Sequence, residues 1–293
     1  MINNVQSLKD KAKNFANKNN LQVQVVLQNF MFERFLERLS KSKYKDNFIL
    51  KGGFLLSSIM GINIRSTMDI DANITGMDFN ETEIRKLLNE IAVIELNDNV
   101  TFKVGKEKTI REDNEYGGYC YKIIGQFYNV VIPFFIDIST GDIITPKSIK
   151  YKYKTLLEND YIELYTYNYE TIIAEKFQTI LVRSVANSRM KDFFDLYYFV
   201  TYKWNEINKE TLQKAITMTF KHRESEKDLQ NFEKIINLIE NDETMHVRWK
   251  SYQNRFLYAK DIDFKDVIKA INKLKNTYNK GAELLGMQMP NKM

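Results

Sequence analysis

One cysteine, Cys120, stands among the 293 residues. That excludes an intrachain disulfide and fits a reducing compartment, so a cytoplasmic location is expected. Histidine is nearly as scarce: His222 and His246 are the only two, and with a single cysteine they do not supply the ligands of a zinc site. No run of about eighteen apolar residues is present, so no membrane-spanning helix is expected. No signal peptide is recognised at the start either, so export by that route is not expected. Internal repeats and low-complexity segments are absent. A glycine pair occurs at 52–53, but no Gly-Lys-Ser/Thr follows it, so it is not a P-loop.

What is present supports a sizeable core: 44% of residues are hydrophobic and 13% aromatic. The length exceeds one average domain and points to one large domain or two coupled ones. Charged residues, at 28%, are ordinary for a soluble protein. The net charge of +5 is a modest basic excess, compatible with a nucleic-acid partner without demanding one. It is unevenly spread. Residues 1–51 hold ten Lys/Arg against four Asp/Glu, with Lys41, Lys43 and Lys45 close together, and Lys147, Lys150, Lys152 and Lys154 form a second cluster.

The stretch Phe48–Ile74, FILKGGFLLSSIMGINIRSTMDIDANI, organises the rest. It reads as a short strand over Phe48–Leu50, a Gly52-Gly53 turn, an apolar helix to about Met60, and a second strand carrying Asp69 and Asp71. Residues i and i+2 of a strand share a face, so the two carboxylates point together and repel unless a cation lies between them. An oxygen-only pair suits magnesium or manganese, with the coordination completed by substrate phosphates. The double glycine permits close backbone approach and leaves the helix N–H groups free for an anion. Arg65 suits bidentate pairing with a phosphate. The hydroxyls of Ser57, Ser58, Ser66 and Thr67 can bond phosphate oxygens, although for the serines capping and turn formation are the better reading. A third carboxylate, Asp137, closes the apolar run Val130–Ile138, where a charge is costly unless paired or metal-bound. Asp69, Asp71 and Asp137 together suit the two-metal arrangement of nucleotidyl transfer.

In chain order, helices are expected over 5–18 and 22–40, and a lysine-rich connection over 40–46 precedes the first strand. After the loop 75–79, Asn80 caps a helix over 81–93. Strands follow at 100–104, 118–126 and 129–139, whose β-branched and aromatic content fits an antiparallel or mixed sheet. Gly141-Asp142 and Pro146 mark the exit from it. Residues 147–169 keep some strand character. From Thr171 the periodicity is helical, with helices at 171–181, 190–202, 209–220, 226–239, 244–258 and 264–285, and a frayed tail at 287–293. The fold class expected is α+β, an α/β domain over 1–146 followed by a mainly helical one over 147–293.

A second constellation is IIAEKFQTILVRSVANSRMKDFFDLYYF, Ile172–Phe199. Lys176 and Arg183 lie about two helical turns apart and share a face, where cations would offset triphosphate charge. On spacing alone, ordinary ion pairing among Glu175, Lys176, Asp192 and Asp195 is the better reading. For an acceptor, the lysine clusters at 41–45 and 147–154 are the candidate backbone contacts, and Tyr151 and Tyr153 are candidate stacking platforms.

The motifs KGG-x-x-L, R-S-T-x-D-I-D, F-I-D-I-S-T-G-D, A-E-K and R-x-K-D-F-F-D-L, in that order, resemble the AbiEii family of nucleotidyltransferase-like toxins of type IV toxin–antitoxin and abortive-infection (phage-defence) systems, a family related to the MenT-type toxins. The resemblance covers most of residues 22–200, and residues 205–293 carry nothing that matches. It implies a DNA polymerase β-like nucleotidyltransferase domain with a helical C-terminal domain. The family's Gly-Gly and Asp-x-Asp fall on Gly52, Gly53, Asp69 and Asp71, its lysine on Lys176, and its late aspartate on Asp192 or Asp195. The spacing from Gly53 to Asp69 exceeds the superfamily pattern, which leaves the loop between them to be located. The resemblance further implies a nucleoside triphosphate substrate, an RNA acceptor such as the 3′ end of transfer RNA, a magnesium ion and a separately encoded antitoxin. Transfer to a small molecule, or nucleotide binding without turnover, are the alternatives.

Overall fold

Alternation decides the first half of the chain. Ile132, Phe134, Ile136 and Ile138 are buried, whereas Val131 and Phe135 between them are exposed, the period-two pattern of a strand with one covered face. A computed structural model of the chain describes residues 2–110 and 117–284; the tail 287–293, expected to fray, lies outside the described residues. In its first compact unit, Met1–Asp142 with Ser148–Tyr167, the elements are α1 (Val5–Asn19), α2 (Val23–Lys41), β1 (Phe48–Lys51), α3 (Gly52–Met60), β2 (Asp69–Ile74), α4 (Glu81–Ala92), β3 (Val100–Ile110), β4 (Gly118–Phe127), β5 (Val130–Thr140), β6 (Ile149–Lys154) and β7 (Tyr161–Thr166).

The seven strands form one sheet in the order β3-β4-β5-β2-β1-β7-β6. β1 pairs antiparallel with β2 and parallel with β7, β2 pairs parallel with β5, and the remaining neighbours are antiparallel. The sheet is therefore mixed, and the α+β expectation holds. The domain to which one stretch belongs differs from the sequence reading. The stretch 148–167, drawn there with the helical half, is the β6–β7 hairpin, and β7 is hydrogen-bonded to β1. A chain exit at Gly141 and Pro146 was legible, but not the return of the chain to the sheet edge. A parallel strand needs a long crossover and leaves no turn signal beside its partner.

The covered face is packed by α2. Phe30, Phe32 and Phe35 are buried and meet Phe127, Phe54 and Phe134 edge to face, at centroid distances of 5.8, 5.7 and 6.1 Å. Each such ring contributes roughly 1.5–3 kcal/mol on burial. Arg38 of the same helix is also buried and grips both carboxylate oxygens of Asp98 at 2.7 and 2.9 Å and the Val100 carbonyl at 2.6 Å, anchoring the start of β3. Helix ends follow the sequence signals. The Asn4 and Asn80 side chains accept from Ser7 N–H and Glu83 N–H, and Asn20 ends α1 in the left-handed region.

The second unit, Ile143–Lys147 with Asn168–Met293, is helical: α5 (Tyr169–Arg183), α6 (Met190–Tyr202), α7 (Lys209–His222), α8 (Glu226–Gln230), α9 (Phe232–Asn241), α10 (Glu243–Arg255) and α11 (Phe264–Leu284). Its core joins Phe177 to Phe220 and Phe232, and Phe193 to Phe264. The single helix expected over 226–239 is two. Asn231 interrupts it, its side-chain amide donating to the Lys227 carbonyl at 2.8 Å, the local competition with the backbone that asparagine offers.

Candidate active site

β1 runs into α3 through Gly52, whose φ of +60° is left-handed. A Cβ at this position would stand 2.1 Å from Oδ2 of Asp71. Glycine is thus required for the conformation and for the close approach. The approach has a purpose: the Gly53 N–H, in the first turn of α3, donates to that same Oδ2 at 2.9 Å. The sequence reading left the N–H groups of this helix open for a phosphate. At Gly53 the chain's own carboxylate takes the place, because a helix N-terminus attracts the nearest anion.

Asp69 is held in a similar way from the other side. The Thr67 hydroxyl donates to its carboxylate, and a Cβ on Gly53 would come within 2.6 Å of Thr67 Oγ1. The Gly-Gly turn, the Arg65-Ser66-Thr67 segment and the Asp-x-Asp strand are therefore one interlocked structure. Within it, Ser66 is exposed, whereas Arg65 is buried and sends one Nη1 bond of 3.1 Å to the Ser66 carbonyl. Ser57 is buried in α3, and Ser58 bonds Tyr151 Oη at 2.6 Å.

Register places the third carboxylate. Asp137 on β5 is level with Asp71, and Phe135 with Asp69. All four lie on the face of the sheet opposite α2, since Ile70, Ala72, Ile136 and Ile138 fill the core. Among the described residues, however, no three His, Cys, Asp or Glu side chains converge closely enough to hold a metal ion. What fits is a pair: two hard oxygen donors on one strand face, the number of carboxylates that magnesium or manganese takes when phosphates complete its shell.

Lys51, Ser139, Asp142 and Tyr167 form a group to which the sequence reading assigned no role. Lys51 is level with Asp71 on β1 and is buried. Its ammonium bonds the Asp142 carboxylate and, at 2.7 Å, Ser139 Oγ. Tyr167 Oη donates to Asp142 at 3.0 Å. A lysine ending an otherwise apolar strand was the available signal, since a buried ammonium needs an anionic partner.

In the helical unit, Lys176 on α5 reaches two buried aspartates of α6, Asp192 at 2.8 Å and Asp195 at 2.7 Å, and Arg189 meets Asp192 at 3.0 Å. Burial alone would raise the Asp192 carboxyl, but Lys176 and Arg189 outweigh it and hold the carboxyl below its ordinary range. Glu175 pairs with Arg223 at 2.8 Å instead, and Arg183 is exposed.

The expected stacking platforms both face inward: Tyr151 packs against the core and bonds Ser58. Tyr153 is buried, donates to Glu33 at 2.8 Å and stacks on Phe54, so it is not available to a base; an alternating strand turns every second residue inward. Lys150, Lys152 and Lys154 are exposed, and they lie on the carboxylate face because they are level with Tyr165, Glu163 and Tyr161. The first cluster is at the other end of β1 from Lys51, with Lys41 paired to Glu37 and Lys43 to Glu90.

Among the described residues, no helix is long and apolar enough to cross a membrane. No curated protein matches the chain. Solved structures do. JHP933 from Helicobacter pylori is similar at 14% identity and a TM-score of 0.52, covering 91% of this chain and 98% of that one. A second H. pylori structure, described as a candidate nucleotidyltransferase, is similar at 13% identity and a TM-score of 0.48, covering 90% and 99%. At such identities JHP933 shows the fold alone. A family model, "Nucleotidyl transferase AbiEii toxin, Type IV TA system", matches residues 34–270, most of the chain. With its Gly-Gly turn fastened to an Asp-x-Asp strand, this chain belongs to the AbiEii family of nucleotidyltransferase toxins of type IV toxin–antitoxin systems.

Proposed function

We propose that the protein is a toxin that transfers a nucleoside monophosphate from a nucleoside triphosphate to an RNA acceptor, the 3′ end of transfer RNA being the candidate, in the cytoplasm and under the control of a separately encoded antitoxin. The observation that carries this reading is the interlock of Gly52, Gly53, Thr67, Asp69 and Asp71. Asp69 and Asp71 would hold a magnesium or manganese ion, with Asp137 as a third carboxylate beside them. When bound, such an ion neutralises phosphate charge and orients the triphosphate for displacement.

The chain's own residues do the rest. The N-terminus of α3 offers N–H groups and a positive dipole end to the triphosphate, Ser66 and Thr67 border it, and Arg65 adds fixed positive charge. Asp137 accepts the proton of the attacking hydroxyl. By resemblance to the family, Lys176 is the candidate phosphate contact, and Asp192 and Asp195 set the position of its ammonium. Lys51 braces β1 against β5 through Ser139, holding the strands that carry these groups in register.

Incubating the purified protein with each labelled nucleoside triphosphate, total RNA and magnesium tests the reading. Label incorporated into RNA is expected. Label on a small molecule alone, or nucleotide bound without turnover, would overturn it.

A further inference from the structure

Most of the sheet face that carries the carboxylates is accounted for near its centre, where Lys51, Asn73 and Ser139 are buried. Towards the β3 edge it is open. On β5, Phe135 is 45% and Val131 55% exposed, and Pro133 between them is exposed too. Lys122 on β4 is level with Phe135, and Lys103 on β3 is level with Ile124, the next outward-facing position of β4. Both lysines are exposed. Asp137, at the carboxylate end, is the one acidic side chain among the described residues of β3, β4 and β5 on this face.

An exposed phenylalanine is not needed by the core, which has Phe134 and Ile136 on the other face. Its place is informative. Phe135 is level with Asp69 on the neighbouring strand, about 5 Å away along the sheet. The Gly-Gly turn and α3 lie on the other side of β2, next to β1. A triphosphate seated at α3 therefore leaves the β5 side of the carboxylates for the second substrate. A flat apolar ring followed by two cations matches a base followed by its phosphates, which is the chemistry of an unpaired polynucleotide end.

We propose that the open outer face of β3, β4 and β5 receives the unpaired 3′ end of the RNA acceptor, Phe135 stacking on the terminal base and Lys122 and Lys103 meeting the phosphates behind it. This rests on the functional reading above and adds the acceptor's route to it.

Two measurements test it on the full chain. The first is the anisotropy of a fluorescent single-stranded RNA, which needs no turnover; the second is steady-state transfer with RNA and nucleoside triphosphate varied separately. Phe135→Ala is expected to weaken RNA binding and raise the KM for RNA on the order of tenfold, leaving the KM for the triphosphate unchanged, and Phe135→Trp to restore both. The double variant Lys122→Glu/Lys103→Glu is expected to reduce the slope of RNA affinity against salt by about 1.4. Unchanged melting temperatures are expected, since all three side chains are exposed. RNA binding unaltered in both variants would overturn the proposal, as would an equal rise in the KM for the triphosphate, which would assign Phe135 to the nucleotide base. If the wild type transfers nothing to RNA, the functional reading fails by itself, and the binding arm still decides whether this face holds RNA.

Discussion

Asp71 is tied to Gly53 and Asp69 to Thr67, so the two carboxylates are fixed in place by bonds that a neutral side chain of the same shape can partly keep. Asp69→Asn and Asp71→Asn should therefore leave the fold intact, and relief of like-charge repulsion should raise the melting temperature of the metal-free protein slightly. Transfer should be abolished in both; wild-type labelling of RNA by either variant at saturating magnesium would sink the assignment. Gly52→Ala should act on both properties at once. Its Cβ would overlap the Asp71 carboxylate and its backbone would be strained, at a cost of about 1–3 kcal/mol, with transfer lost as Asp71 is displaced. Glu33 gives a pH signature. Burial raises its carboxyl to about 7, against the lowering effect of the Leu156 N–H, the Tyr153 hydroxyl and Arg34. From an ordinary 4.5, the unfolded chain has released a proton that the folded one keeps, so this contribution to stability is full at low pH and declines as pH rises through that window. Both donors use Oε1, which a glutamine retains. Glu33→Gln should be stabilised over wild type increasingly from pH 5 to pH 8, on the order of 3 kcal/mol in all. Urea midpoints at the two pH values that move in parallel would refute it.

At the scale of elements, the joint between α5 and α6 is a buried ion cluster rather than a solvated helix face. Lys176→Ala would leave Asp192 and Asp195 buried with less compensation and should cost about 3 kcal/mol of stability, seen as a lowered urea midpoint; a change of a few tenths would return the cluster to the status of a surface pair. Its proposed phosphate contact is separate, and would show as weakened nucleotide binding at a temperature where the variant is still folded. Spacing along one helix could place Lys176 and Glu175 side by side, but it could not show that Lys176 crosses to α6 while Glu175 turns to Arg223. The same boundary between local and non-local holds throughout. Asn4, Asn80 and Asn20 marked their helix ends in sequence because caps act within three or four residues. Gly52, Gly53, Asp69 and Asp71 were legible as a unit because strand periodicity and glycine freedom are local facts. The Lys51–Asp142 pair and the union of β7 with β1 were not, since each joins positions that only the folded sheet brings together. Tyr153 was misread for a related reason: alternation shows that one of Tyr151 and Lys152 faces inward, but the identity of the inward face depends on α2.

At the scale of the molecule, charge is distributed along one sheet face. Lys150, Lys152 and Lys154 flank the carboxylates from the β6 edge and Lys103 and Lys122 from the β3 side. Reversing the three β6 lysines together should weaken RNA binding and flatten its dependence on salt by up to about three in slope, with triphosphate affinity unchanged. An RNA affinity that does not respond would restrict the acceptor to the β3 side. Removing divalent cations with a chelator should stop transfer while leaving the melting transition nearly in place, because among the described residues no cage of three or more ligands is available to the ion. The order of the strands has one more consequence, which concerns synthesis. β1, the strand that leads into the Gly-Gly turn, is completed on one side by β2 and on the other by β7, more than a hundred residues later in the chain, and Lys51 awaits both Asp142 and Tyr167. Contacts so distant in sequence form late, after the closure of a long loop. A nascent chain on the ribosome therefore carries Asp69 and Asp71 well before the strand ending at Thr166, and with it the second neighbour of β1, has been made.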